Sequence, residues 1–231
     1  LKSAIKQSIQ NAEDMANCRV NSVWLSFSTP DLQSVNSVGE VKIKHDIVQA
    51  KDVVAALTQA KNKHLQDDLY LMHYAQQGIA LDGNAEMIDD AIGMQASDLM
   101  VLYHLMMMPV KGRQNLQQLL QECDVSIDQM LFDAVSTAEY GLLPEEKYHG
   151  VCLIDIGAST TSICVYREDK LIYTHCFAEG GHHATLDISM LLDVTIAEAE
   201  NMKKSQVNVD RQGIDSSEFL IIKCSQHDDE K

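Results

Sequence analysis

Apolar residues recur at helical spacing over the first eighteen positions, where Ile5, Ile9, Ala12, Met15 and Ala16 sit among polar neighbours. This predicts an amphipathic helix from Leu1 to Cys18. It begins without a capping residue or lead-in, so Leu1 reads as a cut rather than a true start. The period then shortens to two from Arg19 to Ser28 (R-V-N-S-V-W-L-S-F-S), which predicts a strand closed by the turn signal Thr29-Pro30-Asp31. From Leu32 to about His104 the order is short strand, helix, then several strands. Val35 to Ile43 is strand-like around Gly39, and Ile47 to Ala60 is an amphipathic helix with Val48, Val53, Val54, Leu57 and Ala60 as its apolar set. Leu69 to Leu81 alternates irregularly up to the turn dipeptide Asp82-Gly83, and Leu99 to Met107 is another apolar run. The block predicts a small α+β unit of its own.

Beyond it, Lys111 to Cys123 has the helical period with Leu116, Leu119 and Leu120 inward, Val125 to Phe132 is a strand and Ala134 to Leu142 a helix. Pro144-Glu145-Glu146 reads as a solvated break. A strand, a tight turn and a second strand follow over 151–166, with a third strand from Lys170 to Phe177. Gly180-Gly181 leads into a helix from about His183 to Leu192. Thr195 has the place of an N-cap for a helix from Ala197 to Lys204, with Glu198 completing a capping box. Val207 to Ser217 is a polar loop, and Glu218 to Cys224 a last strand.

Composition narrows the function classes. The 231 residues are 45% hydrophobic and 23% charged, an ordinary globular balance with room for one large or two small domains. A net charge of −16 argues against nucleic acid as a partner, since that binding draws its affinity from cationic side chains on phosphates. It equally disfavours direct docking on an anionic membrane. The six cysteines (Cys18, Cys123, Cys152, Cys164, Cys176 and Cys224) form no C-x-x-C pair, and several lie in apolar runs, as buried reduced thiols of a cytosolic protein would. Met106-Met107-Met108 reads as a strand end packed in a core. His182-His183 with Asp187 lacks a third ligand for a metal, and no Ser/His/Asp or Cys/His spacing supports a nucleophilic enzyme.

The chemistry concentrates in Val151-Cys-Leu-Ile-Asp155-Ile-Gly157-Ala158-Ser159-Thr160-Thr-Ser162-Ile-Cys-Val-Tyr166. An apolar strand ending in one acid, then a small-residue turn ending in hydroxyls, suits a phosphate cradle. Gly157 lets backbone approach a ligand, and successive N–H groups form an anion-binding concavity. Asp155 cannot bind phosphate itself; its use there would be to hold a hydrated Mg²⁺ accompanying a nucleotide. The segment is neither a Walker A loop nor a G-x-G-x-x-G turn. Taken alone, it reads equally as a plain β-hairpin with Asp155 in a local turn bond.

Asp155-Ile-Gly-Ala-Ser-Thr160 resembles the second phosphate loop of the actin, Hsp70 and sugar-kinase superfamily. With the later Gly180-Gly181-x-x-x-Thr185-x-Asp187-Ile188 and Ala199-Glu200-Asn-Met-Lys203, it falls in the order and spacing of the FtsA family, the bacterial cell-division actin homologues. Ala12-Glu-Asp-Met-Ala-Asn-Cys18, Ser22-Val-Trp-Leu-Ser-Phe-Ser28 and Glu122-Cys-Asp-Val-Ser-Ile-Asp128-Gln-Met resemble that family too, so the likeness spans nearly the whole chain. It implies an α/β, actin-like ATPase (ribonuclease H-like) fold, present in part, with an inserted small α+β subdomain. The implied layout is residues 1–28 and 105–144 in subdomain IA, 29–104 as the inserted subdomain IC, and 145–231 as an incomplete IIA.

The resemblance implies ATP and Mg²⁺ as cofactors of the complete protein. Asp155 would lie near the Mg²⁺, through water. Gly157, Ala158, Ser159 and Thr160 would serve the β- and γ-phosphates, and Glu200 and Lys203 would border ribose and adenine. By themselves Glu200 and Lys203 read as a solvated surface pair. The family usually has Gly-Gly where this chain has Ala158-Ser159, and Met72 to Asp82 matches it loosely. Its first phosphate loop is expected before Leu1, and its adenosine loop, fourth subdomain and C-terminal membrane helix after Lys231. The implied role is a scaffold, at most a weak ATPase, that self-associates into polymers and tethers the FtsZ ring to the cytoplasmic face of the inner membrane at the septum. There it would recruit later division proteins. A PilM-like pilus scaffold and a sugar or acetate kinase of the same superfamily are the rival readings.

Overall fold

A computed structural model describes residues 1–207; the loop and last strand expected over 208–224 lie outside the described residues. Helix α1 (Lys2–Ala16) ends at Asn17 in the left-handed conformation, with the Cys18 N–H returning to the Glu13 carbonyl. Strand β1 (Ser22–Phe27) pairs in parallel with β5 (Ser126–Phe132), from Ser22 opposite Ser126 to Phe27 opposite Phe132. Parallel neighbours require a crossover. Here it carries β2 (Gln33–Lys42), α2 (Ala50–Asn62), β3 (Leu69–Leu81), β4 (Asp98–Pro109) and α3 (Val110–Gln121).

The strands of that crossover form their own antiparallel sheet in the order β2-β4-β3. Helix α2 covers one face through its smallest residues. Ala56 and Ala60 are fully buried, Ser37 donates to the Ala60 carbonyl at 3.0 Å, and a Cβ on Gly39 would stand 1.9 Å from the Ala56 oxygen. Val54, expected on the apolar face, is instead 62% exposed. Val48 is buried but precedes the helix, whose first turn is closed by the Asp52 carboxylate accepting from the Gln49 N–H. The irregular alternation of 69–81 has a cause in two register shifts of β3, at Leu71/His73 and Gln76/Gly78. Bulges there turn Met72 into the core and re-aim Gln77. Met106, Met107 and Met108 are buried at the end of β4.

Helix α4 (Asp133–Gly141) follows β5 directly. Residues 144–146 are no break: they open a short helix, α5 (Pro144–His149), with Pro at its start and Glu146 accepting from the Leu143 N–H at 2.9 Å. A three-stranded sheet comes next in the order β6 (Val151–Ile156), β7 (Thr161–Arg167), β8 (Lys170–Phe177). The β7–β8 turn uses Glu168 and Asp169, both at positive φ, as a two-residue hairpin requires. Their N–H groups donate to the Tyr148 and Lys147 carbonyls of α5, which holds these two non-glycine residues in a conformation they seldom adopt.

One core gathers Leu32, Met72, Met106, Met108, Met130, Phe132, Val135, Cys164, Tyr166 and Leu171; a second lies between α2 and the β2-β4-β3 sheet. Ile5 and Ile9 of α1 pack on a third, small cluster with Leu120, Cys123 and Val125, while Met15 is 89% exposed. The buried Cys164 thiol donates to the Ala134 carbonyl, and burial pushes its pKa up to about 12. Cys123 and Cys176 are buried as well, whereas Cys18 and Cys152 are exposed, against the expectation for a uniformly buried set. All described cysteines are free thiols.

Residues 1–155 and 162–176 form one compact unit. Among the described residues, the second contains residues 156–161 and the chain from Phe177 to Val207. Its helices are α6 (Gly181–Leu192) and α7 (Ile196–Ser205). Thr195 caps α7 with the expected reciprocal pair: its hydroxyl accepts from the Glu198 N–H, and the Glu198 carboxylate accepts from the Thr195 N–H. Among the described residues no helix is long and apolar enough to cross a membrane.

Candidate functional site

Asp155 is the last residue but one of the alternating strand β6 and is half-buried within the first unit, where the Thr137 hydroxyl of α4 donates to its Oδ2 at 3.2 Å. A carboxylate held by one oxygen keeps the other for water or for a hydrated cation.

The turn that follows belongs to the second unit. The Gly157 N–H donates to the Thr160 carbonyl at 2.8 Å, so Ala158 and Ser159 form a two-residue tip, and a Cβ on Gly157 would stand 3.1 Å from that carbonyl. The carbonyls of Gly157 and Ala158 accept from the N–H groups of Gly181 and His182, at 2.9 and 2.7 Å, and the Thr161 hydroxyl donates to the Glu179 carbonyl. The first free donors of α6, the groups that every helix leaves unpaired at its start, are therefore spent on pinning this turn. The N–H groups of Ala158 and Ser159 have no acceptor among the described residues and lie at the surface with the Ser159 hydroxyl. The arrangement is an exposed tip braced by the start of α6.

Gly180 makes the pinning possible, beyond the helix lead-in expected of it. Its φ is ordinary extended backbone, but a Cβ there would meet the Gly157 and Ala158 oxygens at 2.6 and 2.7 Å. Gly180→Ala is expected to push α6 off the turn and cost about 2 kcal/mol, the range of overpacked sites. Urea unfolding of the variant checks this; an unchanged midpoint would mean that helix and turn separate freely.

Glu200 and Lys203 are engaged with each other and with α6. The Lys203 ammonium is 2.6 Å from Glu200 and donates to the Gly181 carbonyl and the Thr185 hydroxyl, both at 2.9 Å, while Thr185 donates to Glu200 at 2.5 Å. Hydrogen bonds from Lys203, then Thr185 and Lys204, hold the Glu200 pKa down to about 2. The pair locks α7 to the first turn of α6, a tertiary use that spacing alone does not reveal. His183 accepts from the Gly180 N–H through Nδ1, as an N-terminal cap of α6.

Each part has its own donor chemistry: backbone N–H groups and a hydroxyl at the tip are of the kind that phosphate oxygens accept from, and the Asp155 carboxylate is of the kind that hydrated Mg²⁺ takes. Among the described residues no cluster of three His, Cys, Asp or Glu stands ready to hold a metal without such a ligand.

Residues 152–230 match the family model "Cell division protein FtsA", and residues 30–107 match "SHS2 domain inserted in FTSA". The chain is 28% identical over 226 residues to "Cell division protein FtsA" of Buchnera aphidicola subsp. Acyrthosiphon pisum (strain APS), covering 96% of this chain and 54% of the relative. It is 29% identical over 200 residues to the protein so named in Pseudomonas aeruginosa, and 28% over 199 residues to that of Escherichia coli (strain K12). The chain spans about half the length of the curated relatives it matches. Among solved structures, the "PilM-PilN type IV pilus biogenesis complex" superposes with a TM-score of 0.59 at 16% identity, covering 87% of this chain and 56% of that one. The fold is thus the actin-like ATPase fold with an inserted α+β subdomain. Two family models side by side along the chain, and the succession of division-protein relatives, lead to one assignment: this chain belongs to the FtsA family.

Proposed function

We propose that the protein is an ATP-binding scaffold of cell division, in which the 157–160 turn receives the β- and γ-phosphates and Asp155 steadies the accompanying Mg²⁺ through water. The observation that carries this is the turn itself: α6 pins it from behind, and the N–H groups of the exposed residues Ala158 and Ser159 have no acceptor among the described residues. Mg²⁺ would supply charge neutralisation for the phosphates. Glu200 and Lys203 border the nucleoside side in this reading, with α7 fixed by their contacts to Thr185. In the same reading, residues 1–28 and 105–144 belong to subdomain IA, 29–104 to IC and 145–231 to IIA. The complete protein self-associates, tethers FtsZ at the cytoplasmic face of the inner membrane and recruits later division proteins. Turnover is slow or nil, because the role is conformational.

Calorimetric titration of ATP with Mg²⁺ and with EDTA tests the site. Binding is expected to require Mg²⁺, and Asp155→Asn to weaken it at least tenfold, about 1.4 kcal/mol. Equal affinity in Asp155→Asn, or no Mg²⁺ dependence, would remove Asp155 and its cation from the function.

A further inference from the structure

A serine or threonine inside a helix commonly turns its hydroxyl back on the carbonyl four residues earlier. In α4 one of two neighbours does so. Ser136 donates to the Phe132 carbonyl at 3.4 Å and accepts from Ser26 of β1 at 3.1 Å. Thr137, the next residue, gives its hydroxyl proton to Oδ2 of Asp155, eighteen positions along the chain. Threonine is a poor helix former and Thr137 is exposed, so neither propensity nor burial accounts for it at this position. Its recorded bond is tertiary, and it goes to the carboxylate of the site.

The helix that carries Thr137 is held from several sides. Ala134, Val135 and Ala138 are buried, the Cys164 thiol of β7 donates to the Ala134 carbonyl at 3.4 Å, and Lys147 of α5 pairs with Glu139 at 2.9 Å. Strand β7 in turn is the sheet neighbour of β6, which bears Asp155. The hydroxyl and the carboxylate therefore belong to packed elements of one compact unit, and Asp155 is the residue at which the chain leaves that unit for the turn. Oδ1 of Asp155 has no partner among the described residues.

We propose that Thr137 is a positioning residue for the cation side of the site, holding one oxygen of Asp155 so that the other is presented to the water shell of Mg²⁺. The proposal rests on the reading of Asp155 given above. An aspartate without a partner turns freely about its last bond, whereas the shell of Mg²⁺ is close to octahedral and meets a carboxylate in few directions. A fixed carboxylate has lost that freedom before the ligand arrives. A hydroxyl is suited to the task because it orients the carboxylate without neutralising it, as a lysine in its place would.

Calorimetric titration of the complete protein with ATP and Mg²⁺ tests this in Thr137→Val, Thr137→Ser, Asp155→Asn and the double variant Thr137→Val/Asp155→Asn. Thr137→Val should weaken binding about fivefold, and Thr137→Ser, which keeps the hydroxyl, should bind as the parent does. The double variant should bind no more weakly than Asp155→Asn, since Thr137 acts only through that carboxylate. Threonine and valine have nearly equal helix propensities, so the melting temperature of the ligand-free protein should hold in Thr137→Val. Parental affinity in Thr137→Val, no rescue by serine, a further loss in the double variant or a fall in melting temperature alone would each overturn the role of Thr137 while leaving that of Asp155 intact. Parental affinity in Asp155→Asn would instead remove the reading of the site, and this inference with it.

Discussion

Gly39→Ala is expected to unfold the inserted subdomain or to drive α2 away from its sheet. The added Cβ would lie 1.9 Å from the carbonyl oxygen of Ala56, 2.5 Å from its carbon and 2.9 Å from its Cα. Each of these is backbone, so no rotamer change relieves the clash and the whole helix has to move. Moving it opens the contacts at Ala56, Ala60, Val101 and Leu105, all of which are fully buried. The cost should exceed about 3 kcal/mol, the upper range for overpacked cores. For a subdomain of this size the melting temperature should fall by more than roughly 10 °C. Ala56→Gly in the same background should give no rescue, because it removes a side chain that is not the obstacle. A melting temperature within a few degrees of the parent would show that β2 and α2 are not in backbone contact.

The second large effect is acid destabilisation centred on His104. Burial, reinforced by His73, pushes its pKa down from 6.5 to about 4. Above pH 6.5 neither the folded nor the unfolded chain carries this proton, and the fold loses no stability to it. As pH falls below 6.5 the unfolded chain takes up a proton that the folded chain refuses. Stability therefore declines until the folded imidazole also titrates near pH 4. The loss over that window is on the order of 3 kcal/mol. His73, whose pKa burial also lowers, acts in the same direction against the opposing pull of Glu139. Glu200 belongs to a different window: its depressed pKa contributes above the ordinary carboxylate range and is lost only toward pH 2. Urea unfolding at pH 7, 5.5 and 4.5 should show the decline in the parent and a flatter profile in His104→Gln. Parallel profiles for the two proteins would mean that His104 is not the group responsible.

Elements announced by period were legible in the chain, and so was the Thr195–Glu198 capping box, because both depend on neighbours within a few residues. The turn at 157–160 was legible for the same reason. What escaped was decided by atomic size and by distant partners. Valine outranks alanine on any hydrophobicity scale, yet Val54 faces water while Ala56 and Ala60 are buried, since only a methyl side chain lets a helix lie on Gly39. Pro144-Glu145-Glu146 satisfies the rules for a loop and for a helix start alike, and a helix of only six residues leaves no period to decide between them. The pairing of Glu200 with Thr185, and the approach of Gly180 to the Gly157 and Ala158 carbonyls, join residues fifteen or more positions apart. No local spacing records such contacts. The resemblance to actin-like proteins pointed to Glu200 and Lys203, but their ties to α6 exist only in the folded chain.

The crossover between β1 and β5 bears on the order in which the chain assembles. Joining Phe27 to Ser126 directly from a disordered chain means closing a loop of about a hundred residues, an entropic toll on the order of 4 kcal/mol. The insertion removes most of it, because its first strand begins at Gln33 opposite Met107 on its last, so entry and exit stand side by side once β2 and β4 have paired. A long detour thereby becomes a short one, and the parent sheet has only to capture two strand ends already delivered to the same place. A chain that pairs β2 with β4 first therefore meets the β1–β5 pairing with most of its loop already closed, and the parallel pair then forms at little further entropic cost.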